Sequence, residues 1–266
     1  MKMDLQLQGK RALVTGSTAG IGFAIAQGLA KEGAAVIVNG RTEKRVEQAL
    51  SALKKAGVTG KLEGLAADLG TAEGTRTAIA RFPEVDILVN NLGIFEIKPF
   101  EDIPDADWLR LFEVNILSGV RLSRHYMPEM KKRDWGRIVF ISSESAIQIP
   151  AEMIHYGMTK TSQLAIARGS AETTAGTNVT VNSVLAGPTA SEGASNFIEN
   201  LARDQKTTRQ EVEREFFQNM RPTSLLKRMI EPQEVANLVT FVCSPLSAAV
   251  NGAALRADGG VVRSII

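Results

Sequence analysis

The chain holds a single cysteine, Cys243, in 266 residues. One thiol cannot form an internal disulfide, so nothing points to a scaffold stapled for an oxidising compartment. Cys243 closes the apolar stretch that opens at Leu238 and reads as a small core residue. Only two histidines, His125 and His155, exist to activate it as a nucleophile. His, Cys and carboxylate side chains nowhere gather at metal-ligand spacing, so no metal is expected. No apolar run approaches the roughly 18 residues of a membrane span. Met1 to Lys10 alternates polar and apolar residues without a signal-peptide core, so a cytoplasmic protein with no membrane association is expected. Charge of one sign is also lacking: 31 Lys and Arg face 29 Asp and Glu, with no basic stripe, which argues against nucleic acid as a partner. The short run Lys131-Lys132-Arg133 reads as a solvated helix end. Repeats, low-complexity tracts and linkers are missing too, so residues 1–266 are expected to form one domain.

What is present is an alternation of short apolar runs and helical patterns. Strands are predicted at Arg11–Thr15, Ala34–Val38, Leu62–Ala67, Val85–Val89, Arg137–Ile141, Asn178–Val184 and Ala253–Ala257. Helices are predicted at Ile21–Lys31, from the Thr42 cap to Gly57, at Ala72–Arg81, Asp105–Lys132, Tyr156–Ala175 and Pro232–Val242. Continuous apolar strands are buried on both faces, as in parallel sheets. The pattern predicts an α/β fold: a Rossmann-like doubly wound parallel sheet of about seven strands, with helices on both faces. The stretch from Ala186 to Ile230 reads as irregular or helical. Within residues 190–230, Phe197, Ile198, Leu201, Phe216, Phe217 and Met220 stand among many charges. That segment follows a strand end and is expected to cover a site as a lid.

The first strand runs into Thr15-Gly16-Ser17-Thr18-Ala19-Gly20-Ile21-Gly22, a G-x-x-x-G-x-G turn. Gly16 permits the tight strand-to-helix turn, Gly20 lets the backbone approach a pyrophosphate, and Gly22 allows close helix–sheet packing. Phosphates would then face the positive end of the first helix. The turn therefore predicts a dinucleotide site. At the end of the second strand an acid would bind the ribose of NAD. Here the residues are Val38-Asn39-Gly40-Arg41, and Arg41 could instead hold a 2′-phosphate through a bidentate contact. The alternative is an exposed helix-start arginine. NADP(H) is favoured and NAD remains open.

Tyr156 and Lys160 lie four residues apart at a predicted helix start, on one face. A free phenol has a pKa near 10, too high for a base at neutral pH. A neighbouring ammonium lowers it, which makes the pair a candidate general acid/base. Ser143 follows an apolar strand at the edge where such sheets bind ligands, and its hydroxyl could hydrogen-bond a substrate oxygen as charge develops. Ser142, Ser143 and Ser145 could equally be turn residues.

Taken together, Thr15–Gly22, Asn90-Asn91-Leu92-Gly93, Ser143 and Tyr156-x-x-x-Lys160 resemble the short-chain dehydrogenase/reductase family. Ser143 stands thirteen residues before Tyr156, as in that family. The resemblance runs from about Leu7 to Val261. It implies that Ser143 orients a carbonyl, that Tyr156 transfers the proton, and that Lys160 lowers the tyrosine pKa and holds the nicotinamide ribose. It also implies that Asn115 anchors a water in a proton relay to Lys160. Asp68 and Leu69 match the adenine-contacting pair, and Asn90 matches the residue on the adenosine side. Gly16, Ser17, Thr18, Gly20, Ile21, Gly22 and Gly93 match cofactor-binding positions of the family. Ala186-Gly187-Pro188-Thr189 matches the loop beneath the carboxamide, with Thr189 in contact and Ser191 near a phosphate. This sequence departs from the family in three places. Leu92 replaces an alanine and could crowd the cofactor floor, Ala186 replaces a proline, and Ser191 replaces a threonine while keeping the hydroxyl. Ala19 is not basic, so the NADP preference rests on Arg41.

The expected activity is interconversion of a carbonyl and a secondary alcohol by hydride transfer, with 3-oxoacyl-thioester reduction among the reactions the resemblance implies. A homotetramer is also implied, or a homodimer, with the helices after strands four and five at one interface. The main alternative is an NADP-binding sensor without catalysis, against which Ser143, Tyr156, Lys160 and Asn115 together argue. An epimerase or dehydratase on a related fold would carry G-x-x-G-x-x-G, which Gly16, Gly20 and Gly22 do not form. His155 either points toward substrate or sits exposed at the helix start. Glu144 either meets a polar substrate group or is a solvated loop carboxylate. His125, Trp108 and Trp135 read as structural.

Overall fold

The computed structural model describes residues 3–58 and 60–265, apart from the side chains of residues 194, 196 and 197. The side chain of Phe197, named above for the lid, lies outside the described residues, as do Met1 and Ile266 at the ends of the expected domain. Among the described residues seven strands form one sheet: β1 (Arg11–Val14), β2 (Ala35–Gly40), β3 (Leu62–Ala66), β4 (Ile87–Asn90), β5 (Gly136–Ser143), β6 (Val179–Ala186) and β7 (Ala254–Ala257). Their order is β3-β2-β1-β4-β5-β6-β7 and every pairing is parallel. The chain winds outward in opposite directions from β1 and β4, which leaves a crevice at their carboxyl ends.

Alternation along each strand divides the core between the two faces of the sheet. Ala12 and Val14 pack with α1 (Gly20–Lys31), α2 (Glu43–Lys55) and α9 (Pro232–Val242). Leu13 points the other way, into a cluster with α3 (Ala72–Arg81), α5 (Ser118–Lys132) and α6 (Ile154–Glu172). Helices therefore cover both faces, as the uninterrupted apolar strands require. Cys243 is fully buried, and burial pushes its thiol up to about 12.

Element ends shift by a few residues from the sequence reading, and two of the differences bear on the site. β5 runs two residues past Ile141 because Ser142 and Ser143 stay in register with Leu185 and Ala186 of β6. Ser143 is thus the last strand residue. The single helix expected over Asp105–Lys132 is broken: α4 (Asp105–Phe112) passes through a π-helical turn at Glu113–Leu117 before α5 resumes at Ser118. Residues 190–230 fold into α7 (Glu192–Asp204), α8 (Arg209–Glu215) and a second π turn at Phe216–Met220. They build a small core of their own from Ile198, Ala202, Val212, Phe217 and Met229.

The glycine turn is held by Asn39 at the end of β2. Its Oδ1 accepts the Gly16 N–H at 3.0 Å, and its Nδ2 donates to the carbonyls of Leu65 and Ala67 at 3.2 and 3.0 Å. One buried amide thus ties β1, β2 and β3 together beneath the crevice. Asn39→Ala is expected to leave these groups unpaired and to cost about 2 kcal/mol of folding stability. Chemical denaturation checks this, and an unchanged midpoint would remove Asn39 from that role.

Candidate active site

A cleft opens at the carboxyl edge of β1, β4, β5 and β6, between the glycine turn on one side and residues 186–230 on the other. Gly16 and Gly20 adopt φ of 60° and 56°, where an L side chain is strained. A Cβ on Gly22 would lie 2.5 Å from both the Gly16 carbonyl oxygen and Asn91 Nδ2. These glycines let α1 begin directly over the sheet edge. A Cβ on Gly93 would lie 3.4 Å from Lys160 Nζ and 3.5 Å from Asn115 Oδ1, so Gly93 lets those two side chains converge. A backbone cradle at a helix start, beside the β1/β4 switch point, fits a dinucleotide pyrophosphate.

Of the remaining cofactor candidates, Ile21, Gly187, Pro188, Thr189 and Ser191 line the same cleft. Ser17 is turned inward: its hydroxyl donates to the Val14 carbonyl at 2.7 Å and accepts from the Asn39 N–H. Thr18 packs beside Gly40, whose Cβ position lies 2.5 Å from Thr18 Cγ2. Arg41 and Asp68 are exposed, whereas Leu69 is buried. Asn90 directs its amide to Ser123 Oγ at 3.1 Å, into the core. Its neighbour Asn91 lines the cleft and donates to the carbonyls of Thr15 and Gly16 at 2.9 and 3.1 Å. Leu92 packs against the core cluster on the α5 side, next to Gly16.

β5 and α6 bring Ser143, Tyr156 and Lys160 into the cleft together. The Ser143 hydroxyl interacts with the Tyr156 phenol, accepts the Ser145 N–H at 3.1 Å, and donates to Glu144 Oε2. Phe95 stands edge-on to the Tyr156 ring with centroids 6.1 Å apart. Burial, with the Glu144 charge second, pushes the Tyr156 phenol above its ordinary value, against the opposing pull of Ser143 and Arg221. Ser143 and Arg221, and not the expected Lys160, are the groups that pull the phenol down in this arrangement. Lys160 Nζ lies 5.6 Å from the ring centroid, donates to the Ile141 carbonyl at 2.9 Å, and faces Gln163 Oε1 at 3.3 Å. Burial lowers the Lys160 pKa to about 8.

The π turn places Asn115 beside this lysine. Such a turn displaces one carbonyl from the helical ladder, and the Asn115 carbonyl accepts Gln163 Nε2 at 2.7 Å. The Asn115 side chain is fixed by Ile94 N–H and carbonyl, at 2.8 and 2.9 Å, and by Thr159 Oγ1 at 3.0 Å. Asn115 thus reaches Lys160 through Gln163. The sequence reading did not single out Gln163, although its place three residues after Lys160 puts it on the same helical face.

Glu144 is not a solvated loop carboxylate. It is buried and paired with Arg221 at 2.9 Å. His155 is not exposed either: it is fully buried, edge-on to Trp108 with centroids 5.8 Å apart, and neither ring nitrogen has a partner. Burial lowers its pKa. His125 reaches the Pro83 carbonyl at 3.1 Å, and Trp135 lies under Lys10 and Arg137. Among the described residues no group of three or more His, Cys, Asp or Glu could hold a metal, and no helix is long and apolar enough to cross a membrane.

Comparison with known proteins agrees with this geometry. A family model described as short chain dehydrogenase matches residues 10–202. The uncharacterized oxidoreductase YvaG of Bacillus subtilis (strain 168) is 55% identical over 99% of this chain and 100% of its own length. The 3-oxoacyl-[acyl-carrier-protein] reductase FabG of Aquifex aeolicus is 33% identical over 97% of this chain and 100% of its own. Among solved structures, L-sorbose reductase from Gluconobacter frateurii complexed with NADPH and L-sorbose superposes with a TM-score of 0.92 at 29% identity, covering 99% of this chain and 100% of that one. The chain belongs to the short chain dehydrogenase family and is an NAD(P)-binding oxidoreductase.

The Lys160 environment has a measurable consequence. Its folded pKa of about 8 lies below the usual lysine value of 10.5, so the native state loses this proton before the unfolded chain does. The burial cost is full below about pH 8 and is relieved as pH rises toward that of the unfolded lysine. Wild-type stability relative to Lys160→Met is expected to grow by about 3 kcal/mol between about pH 7 and about pH 10 or above. Paired denaturant titrations test this; a difference that stays flat or shrinks would contradict it.

Proposed function

We propose that the protein reduces a carbonyl to a secondary alcohol with NADPH. The observation that carries this reading is that Tyr156 and Ser143 line one cleft with Gly20 and Gly22 of the glycine turn, and burial pushes the phenol above its ordinary value. Gly16, Gly20 and Gly22 would hold the NADPH pyrophosphate, and the bound cofactor would supply the hydride that the carbonyl carbon gains. As the C=O π bond opens, its electron pair takes the proton of Tyr156 and becomes the new O–H bond. Ser143 donates to the same oxygen and stabilises its growing charge. Solvent then restores the tyrosine proton, with Lys160, Gln163 and Asn115 fixing the polar floor on that side. Ile198, Phe216, Met220 and Met229 form the wall that excludes water.

Arg41, exposed just before α2 at a strand end, Val38-Asn39-Gly40, that carries no acid, supports NADP over NAD. Asn39 is committed to the core and leaves that side to Arg41. FabG acts on a 3-oxoacyl group and the sorbose reductase on a sugar, as their names state. The charged wall at Glu144 and Arg221 favours a small polar carbonyl here over an acyl chain. Leu109 and Phe112, 68% and 41% exposed on α4, support assembly into a homotetramer.

Tyr156→Phe is expected to lower carbonyl reduction by about 10²- to 10⁴-fold while NADPH still binds. A panel of ketones followed at the nicotinamide absorbance band, with cofactor affinity measured separately, tests this; activity equal to wild type would refute the role. Arg41→Asp should shift the kcat/KM ratio from NADPH toward NADH by at least about tenfold, the loss of one charge-assisted phosphate contact. An unmoved ratio would sink the NADP preference.

A further inference from the structure

Beside Ser143 stands a charge pair that carbonyl reduction itself does not use. Glu144 and Arg221 line the cleft, yet their side chains are only 6% and 7% exposed. Arg221 Nε donates to Glu144 Oε1 at 2.9 Å and its Nη1 donates to Glu152 Oε1 at 3.0 Å. One guanidinium is shared by two carboxylates, so this cluster carries an excess negative charge. The other oxygen of Glu144, Oε2, accepts the hydrogen bond of the Ser143 hydroxyl. A buried ion pair adds little stability over apolar residues of the same volume. Its place on the wall of a substrate cleft points to recognition.

The arrangement fixes what can be recognised. A ketone oxygen that binds at Ser143 draws the serine proton away from Glu144 Oε2. A buried carboxylate oxygen left without that donor is costly. A hydroxyl on the carbon next to the carbonyl makes good the loss, because the two oxygens of an α-hydroxy ketone lie at about the spacing of a hydrogen-bonded oxygen pair. Ser143 and Glu144 offer a donor and an acceptor side by side, and such a ketone presents the complement. We infer that Glu144 is a specificity-determining residue that reads this hydroxyl, and that the preferred substrates are neutral α-hydroxy ketones, reduced to vicinal diols. The inference rests on the carbonyl-reductase reading above. The α-hydroxyl is bound and not consumed. A plain ketone strands the carboxylate oxygen, and an α-keto acid sets a second carboxylate against Glu144.

Three four-carbon substrates separate these cases: 1-hydroxy-2-butanone, 2-butanone and 2-oxobutanoate, each with NADPH. The wild-type protein is expected to favour 1-hydroxy-2-butanone over both others by about tenfold or more in kcat/KM. Glu144→Gln keeps an acceptor but loses the charge, so it should keep the preference over 2-butanone and narrow the gap to 2-oxobutanoate. Glu144→Leu/Arg221→Met removes the acceptor without stranding the guanidinium, and should bring the two neutral ketones within about twofold of each other. Calorimetric titration of NADP⁺-loaded Tyr156→Phe protein should show 1,2-butanediol binding more tightly than 2-butanol, by about tenfold, without any turnover. Equal kcat/KM for the two neutral ketones in the wild-type protein, or a preference that survives in the double variant, would overturn the inference and leave carbonyl reduction standing. If the double variant does not fold, an unchanged 2-oxobutanoate gap in Glu144→Gln overturns it. No turnover of any of the three, with wild type indistinguishable from Tyr156→Phe, would overturn both readings.

Discussion

Taking ionisable groups out of water governs the chemistry of this cleft. Burial acts in opposite directions on its two central groups, raising the Tyr156 phenol and lowering the Lys160 ammonium. The Glu144 charge pushes both upward, so it reinforces burial at the phenol and opposes it at the lysine. The outcome is a phenol that keeps its proton at neutral pH and is poised as a donor. A developing alkoxide is a far stronger base than a phenolate, so a phenol with a raised pKa can still hand over its proton. The same phenol is a poor base for oxidising an alcohol until a positive charge arrives beside it.

The fold serves this site by placing backbone and polar side chains where Cβ atoms would interfere. The β1/β4 switch opens the crevice, and Gly16, Gly20 and Gly22 bring α1 down onto it. Asn39 and Asn91 satisfy the polar backbone that such a turn exposes. The π turn in the α4–α5 helix turns the Asn115 carbonyl toward Gln163 and, through it, toward Lys160. On the far wall, Arg221 ties the end of the 190–230 segment to Glu144 at the end of β5.

The fold was legible because its signals are local. Apolar runs at β1, β2 and β4 and glycines at their ends record burial on both faces within a few residues. Ser143, Tyr156 and Lys160 were legible through spacing, since a strand end and one helical turn fix where they go. What escaped depends on contacts between distant parts of the chain. Arg221 meets Glu144 across 77 residues, and no pattern near either one marks the partner. His155 is buried because Trp108 of α4 covers it, which its own neighbours do not reveal. A π turn leaves no compositional trace, so Asp105–Lys132 read as one helix. The assignment of Asn90 to the cofactor side turned on which way a strand-end side chain points, and here Asn91 is the one that faces the cleft.

Because the chain has only two tyrosines, and burial pushes Tyr126 up to about 12, the protonation of the other can be followed directly. The decisive measurement is an ultraviolet titration of tyrosinate in the protein without cofactor, run beside Tyr156→Phe. The two curves should coincide up to at least about pH 10, the ordinary phenol value. One phenolate's worth of absorbance appearing below that pH in the wild-type protein, and missing from Tyr156→Phe, would show that Tyr156 is not held protonated by its surroundings.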